Sequence, residues 1–237
     1  MSFLSHVTEL QYRLLFLTFT WLSTFCTSYV YKEIATFVLF QYSIHSNVET
    51  RHYFITTQLT ETFSVYIEAS VFIANQLTLV ILVYVVLIFL SPGLYKSEIN
   101  KLKKTLNIFF VLWILLSSIF YKVFIPLSWE FFLNLSPNTT DIIFFEARLI
   151  EYSSFFFGTY YVLNIYSIIM LLTFYYINLN GGEALKIRRL RKILFFIIYI
   201  LAALLTPPDI GSQVLVASLL IITLEAYTIK VIFKNLR

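Results

Sequence analysis

Charge is scarce in this chain. Of its 237 residues only 13% are Asp, Glu, Lys or Arg, where a soluble domain uses roughly a quarter. That shortfall excludes a water-soluble monomer. Cysteine is rarer still. Cys26, in the middle of the first apolar run, can form no internal disulfide and has no neighbours for a metal site. It reads as a small buried apolar residue. The three histidines, His6, His45 and His52, all fall outside the apolar runs, so no intramembrane pair exists to ligate haem. For the same reason serines such as Ser117 and Ser118 have no base to activate them. Five glycines form no phosphate loop, and no HExxH occurs. No nucleophile–base pair or metal set can be assembled, so neither an enzyme nor a cofactor or metal site is expected, and no nucleic-acid partner. The start, Met1 to Arg13, lacks a basic n-region and a small-residue cleavage site, so the first apolar run is expected to be retained.

What the chain has is hydrocarbon: 59% hydrophobic residues and a mean hydropathy of +0.81. The expected fold is an all-α polytopic membrane protein with no folded domain outside the bilayer. Six apolar runs carry that reading, at approximately 12–31, 69–90, 106–129, 152–178, 193–205 and 214–233. The first three have ordinary spanning lengths. The fourth would reach about 40 Å as a helix, enough to tilt or bend, and the fifth only about 20 Å against a hydrocarbon core of roughly 30 Å. Between the last two, Pro207-Pro208 breaks any helix, which makes a hairpin of two short spans. A re-entrant feature is the other reading there.

Basic residues set the orientation. Arg13, Lys96 to Lys104, Lys186 to Lys192 and Lys230 to Arg237 alternate with segments where only Lys32, Arg51, Lys122 and Arg148 occur, so both termini are expected on the inner side. Most carboxylates fall outside, which draws attention to inner Glu9 and Glu98. The outer segments Lys32 to Glu68 and Glu130 to Glu151 read as substantial loops. Asn134 and Asn138 open glycosylation-like sequons, which also arise by chance. Abundant Phe (25) and Tyr (17) beside 5 Gly fit a gene in an A/T-rich genome, such as an organelle's.

Polar groups at membrane depth are the other signal. Glu225 lies among aliphatic residues, where an ionised side chain is costly and needs a partner in the bundle. Asn75 and Gln76 sit in the second run, with Glu68 on the face of Asn75, and helix–helix hydrogen bonds are the simplest role for the amides. Asp209 and Gln213, four apart, would share a helix face, with Asp209 near its N-terminus. Glu9, in an amphipathic approach to the first run, and Glu98, after the second, place two carboxylates at one interface. Such a pair suits guanidinium capture, although solvated charges alone would also explain it.

Four stretches resemble one known family. Phe3-Leu-Ser-His-Val-Thr-Glu-Leu-Gln-Tyr-Arg-Leu is similar to an "LxxHLxELRxRL" start, Phe54-Ile-Thr-Thr-Gln-Leu-Thr-Glu-Thr-Phe63 to an outer-loop segment, Phe89 to Glu98 to "FxxPxLYxxE", and Leu204 to Gln213 to "LTPPDxxSQ". This is the pattern of TatC, the multispan receptor of the twin-arginine protein translocase. The resemblance implies six transmembrane helices in a concave bundle, with helices 5 and 6 short. It implies signal-peptide contacts at Glu9, Glu98 and Phe89, with Gln11 and Arg13 beside the first. Pro207, Asp209, Gln213 and Glu225 would serve partner assembly, and Thr57, Glu61 and Phe63 mark the outer-loop motif. The implied partners are twin-arginine signal peptides of folded cargo, single-span TatA/TatB-type subunits, further copies of itself and the lipid bilayer. Composition suggests the mitochondrially encoded branch, in the inner membrane with both termini in the matrix. Gln11 stands where the family usually has Arg, no proline matches near Leu39-Phe40, and Asn164 is the nearest polar residue to the usual carboxylate of span four. A small-solute secondary transporter and a respiratory-complex subunit or assembly factor are the rival readings. The first predicts a midplane site between matched halves, the second co-purification with its complex.

Overall fold

A computed structural model describes residues 3–44, 54–134, 147–179, 184–205 and 210–235. The described residues are helical almost throughout. The helices are α1 (Phe3–Val30), α2 (Lys32–Ile44), α3 (Leu59–Leu90), α4 (Lys96–Ile119), α5 (Ile125–Asn134), α6 (Leu149–Leu179), α7 (Ala184–Leu205) and α8 (Ile210–Asn235). Helices therefore cover all six apolar runs. By length and composition α3, the α4–α5 segment and α6 each suffice to cross a membrane, as does the α1–α2 pair if it counts as one bent span.

Two compact units make up the chain, residues 1–94 with 146–153, and 95–145 with 154–237. In the first, α1 packs on α3, and α2 lies against α3. Helix α1 is rich in Thr and Ser, which ordinarily compete with the helix backbone. Here Thr18, Thr20, Thr24 and Thr27 return their hydroxyls to carbonyls three or four residues back, so the helix presents methyl groups outward. One polar bridge joins the helices, Trp21 Nε1 donating to Asn75 Oδ1 at 2.8 Å. Asn75 thus takes the expected role. Gln76 does not: its amide atoms are buried without a hydrogen-bond partner. Cys26, expected buried, is exposed, because α1 turns that face away from α3.

Within the segment expected as an outer loop, Lys32 to Glu68, the described residues include two stretches of helix. The chain bends by 86° after α1 and continues as the 13-residue α2. Helix α3 starts ten residues ahead of its apolar run, and at 32 residues it measures about 48 Å, well beyond the hydrocarbon core. Its first turns, which carry Glu61, precede the apolar run.

In the second unit α6 bonds to both α4 and α8. Its Asn164 Oδ1 accepts from Trp113 Nε1 of α4 at 3.2 Å, and its Tyr166 hydroxyl donates to the Leu220 carbonyl of α8 at 2.8 Å. Phe174 stacks on Tyr227 with centroids 3.7 Å apart. The run expected as one regular helix over 106–129 carries a π turn at Phe120–Phe124. Pro126 explains it, since its ring would clash with the carbonyl four residues back. The widened turn lets the Ile125 amide bond the Phe120 carbonyl instead. Helices α7 and α8 pack together and are 22 and 26 residues long. Both exceed the apolar runs they contain, because the basic approach to the first and the polar ends of the second also wind into helix.

Candidate functional site

Glu9 and Arg13 lie one turn apart on α1 and pair, Arg13 Nε donating to Glu9 Oε1 at 3.1 Å and Nη2 engaging the same oxygen. Both contacts use Oε1. Gln11, between them, is exposed on another side of the helix. Phe89 is half-buried in the last turn of α3, ahead of the tight turn Ser91–Gly93 in which Pro92 sits. Past that turn, Glu98 occupies the third position of α4 and its Oε2 accepts the Tyr95 backbone N–H at 3.1 Å. The carboxylate is thus held at a helix N-terminus, where the backbone dipoles favour negative charge.

The outer-loop motif builds the densest polar cluster among the described residues. Glu61, 2% exposed, accepts the Thr57 backbone N–H at 2.9 Å and the Thr57 hydroxyl at 2.7 Å. Arg148, just ahead of α6, donates from Nη2 to Glu61 Oε1 at 2.7 Å and to Thr57 Oγ1 at 2.8 Å, and from Nη1 to Glu151 at 3.2 Å. The Thr57 hydroxyl and the Arg148 guanidinium hold the Glu61 carboxyl at about 2, against burial, which works the other way. The same contact, led by the hydrogen bond to Glu61, raises Arg148 above its ordinary range. Backbone bonds reinforce the clamp, with the Ile55 N–H donating to the Ala147 carbonyl and the Leu149 N–H to the Ile55 carbonyl, at 3.0 and 3.1 Å. Tyr152 completes it, packing between Phe40 and Phe54 with centroids at 5.2 and 5.0 Å. Phe63, the motif's last residue, is exposed and takes no part in the clamp. Sequence reasoning missed Arg148, although it was one of few basic residues on a side crowded with carboxylates.

Of the residues expected to serve assembly, Pro207 and Asp209 lie outside the described residues. Gln213 is half-buried in the first turn of α8. Glu225 has its expected partner within the bundle: Arg191 of α7 approaches its Oε1 at 2.5 Å and lies over the Phe195 ring.

Among the described residues no three His, Cys, Asp or Glu side chains gather where a metal could sit. The fold and its polar contacts define an all-helical polytopic membrane protein whose charges are invested at helix ends and in interhelical clamps. A family model described as "Sec-independent protein translocase protein (TatC)" matches residues 5–218, and the chain belongs to that family. It is a translocase subunit, not an enzyme. It is 30% identical over 98% of its length to an "uncharacterized tatC-like protein ymf16" of Reclinomonas americana, covering 88% of that protein. It is 31% identical over 94% of its length to the Sec-independent protein translocase protein TatC of Rickettsia prowazekii, covering 90% of it. A crystal structure of the twin-arginine translocase receptor TatC, 22% identical, superposes with a TM-score of 0.72 over 98% of this chain and all of that one.

Proposed function

We propose that this chain is the receptor subunit of a twin-arginine translocase, and that it captures the Arg-Arg signal peptide of folded cargo through Glu9 and Glu98 on the inner face. The observation that carries the proposal is the fixed carboxylate of Glu98. A carboxylate already ordered by a backbone donor offers its remaining lone pairs to an arriving guanidinium at little further entropic cost. Glu9 is held by Arg13, so an incoming arginine would share or replace an existing pair. Phe89, on the apolar side of the tight turn, supplies contact for the peptide's hydrophobic stretch. Gln11 in place of the family's Arg lowers the local positive charge, which favours approach of a cationic motif.

The topology that goes with this reading has six spans, both termini inside, and the clamp of Thr57, Glu61 and Arg148 on the outer side. Gln213 together with Pro207 and Asp209 would receive single-span subunits. The A/T-biased composition supports a mitochondrial inner-membrane location.

The test is photo-crosslinking from probes beside Glu9 and Glu98 to an Arg-Arg signal peptide, with a Lys-Lys peptide as control. Crosslinks at both sites made by the first peptide alone are expected. Equal labelling by both peptides, or none with the protein folded in membrane, would remove the recognition role.

A further inference from the structure

We infer that the elbow between α1 and α2 is a phospholipid site, with one acyl chain seated in its groove and the headgroup phosphate beside Lys32. The groove holds about 500 Å³ and is lined by residues that include Thr24, Thr27, Ile34, Val38 and Leu77. Its threonines present no donor to a ligand. Thr24 bonds the Thr20 and Trp21 carbonyls, and Thr27 those of Ser23 and Thr24, all at 2.9–3.1 Å. What remains facing the groove is hydrocarbon.

The bend of 86° sets α2 across the direction of α1, as an interfacial helix lies when its neighbour spans the bilayer. The open side of α2 is apolar to match, with Tyr31, Ile34, Phe37 and Val38 each more than half exposed. A transmembrane helix about 10 Å across and 30 Å long occupies on the order of 2,000 Å³, several times the groove's volume of about 500 Å³. A single hydrocarbon chain fits.

Charge supplies the headgroup end. Lys32, at the first position of α2, follows groove-lining Tyr31, and its ammonium sits 5.3 and 5.1 Å from the ring centroids of Tyr29 and Tyr66. A helix N-terminus and a lysine together suit a phosphate. Glu33 projects about 100° round α2 from Lys32 and roughly opposite groove-lining Ala35.

The experiment uses the full chain in vesicles of phosphatidylethanolamine with a minor fraction of phosphatidylglycerol, carrying trace phosphatidylglycerol with a diazirine on its acyl chain. Labelling is expected to concentrate on the peptides holding Thr24, Thr27 and Val38, to be competed by unlabelled lipid, and to vanish in Val38→Trp. Ala35→Phe plugs the groove from its wall as a second variant, and labelling at Phe19 and Leu22, exposed on α1, reports that each variant is folded in the membrane. Lys32→Gln should cost the anionic lipid about fivefold in competition, the worth of one lysine near an anionic headgroup. Labelling of the groove no stronger than at Phe19 and Leu22, or undiminished by either plug, overturns the site. A groove label that only a co-reconstituted single-span protein displaces assigns it to a protein helix and overturns the lipid as occupant.

Discussion

Glu98 caps its helix, and a pair of substitutions can separate that role from the recognition proposed for it. Its Oε2 accepts the Tyr95 N–H at 3.1 Å, and in the proposed role its charge receives a guanidinium. Glutamine keeps an acceptor oxygen at the same reach and loses the charge, whereas alanine loses both. Glu98→Gln should therefore leave thermal stability near that of the parent. Its affinity for an Arg-Arg signal peptide should fall by roughly 1–3 kcal/mol, or about 5- to 150-fold, the range for a hydrogen bond to a charged group. Glu98→Ala should show the same loss of affinity plus about 1 kcal/mol of stability from the lost cap. The assay is a binding isotherm with a fluorescent signal peptide on protein in nanodiscs, paired with a melting curve for each variant and a Lys-Lys peptide as control. Unchanged affinity in Glu98→Gln, within twofold, would refute the reasoning and leave Glu98 as a capping residue only.

Three further outcomes follow from the packing. Glu61 is held at about 2 from an ordinary 4.5, so its ionised form stabilises the fold above the unfolded value, and that stabilisation drains away as pH falls from about 4.5 toward 2. Melting temperature should drop over that window in the parent and much less in Glu61→Gln, and equal drops would deny the clamp its role. Asn75→Leu removes the acceptor of Trp21 and should destabilise α1 against α3 by about 0.6 kcal/mol, up to roughly 1.7, as measured by steric-trap unfolding in bicelles. Arg191→Gln strands a mostly covered Glu225 and should cost about 1–2 kcal/mol, between the exposed and buried limits for ion pairs. Adding Glu225→Gln should recover part of that loss in the same unfolding assay.

The helices were legible because lipid imposes long unbroken apolar runs, and each such run is helical, the third with a π turn inside it. What escaped was set by short polar segments with no periodicity strong enough to read. Helix α2 is one. Its Lys-Glu-Ile-Ala-Thr start gives no cap, and Phe40, which anchors it, finds Phe54 and Tyr152 only after the chain has returned from far along the sequence. Arg148 is another, separated from Thr57 and Glu61 by some ninety positions. Its role follows from the parallel pairing of Ile55 with Arg148, a contact that local pattern cannot announce. Cys26 was misjudged because burial in a membrane protein has two meanings: its face of α1 leaves water but does not enter the protein. The recognition role proposed for Glu9 and Glu98 rests on motif resemblance, since both look locally like ordinary interface charges.

The π turn at Phe120–Phe124 changes the arithmetic of its helix. It holds one residue more than an α-helical turn would, and Phe120 and Phe124 still stack with centroids 4.7 Å apart. Deleting exposed Val123 on its own would restore regular winding and bring the Pro126 ring back against a carbonyl. Replacing Pro126 with alanine on its own would leave the surplus residue without the proline that calls for the wider turn. The two features compensate each other, so losing both together should be gentler than losing either. Helix length here is a joint property of a proline and its extra neighbour, and it can change only when both change.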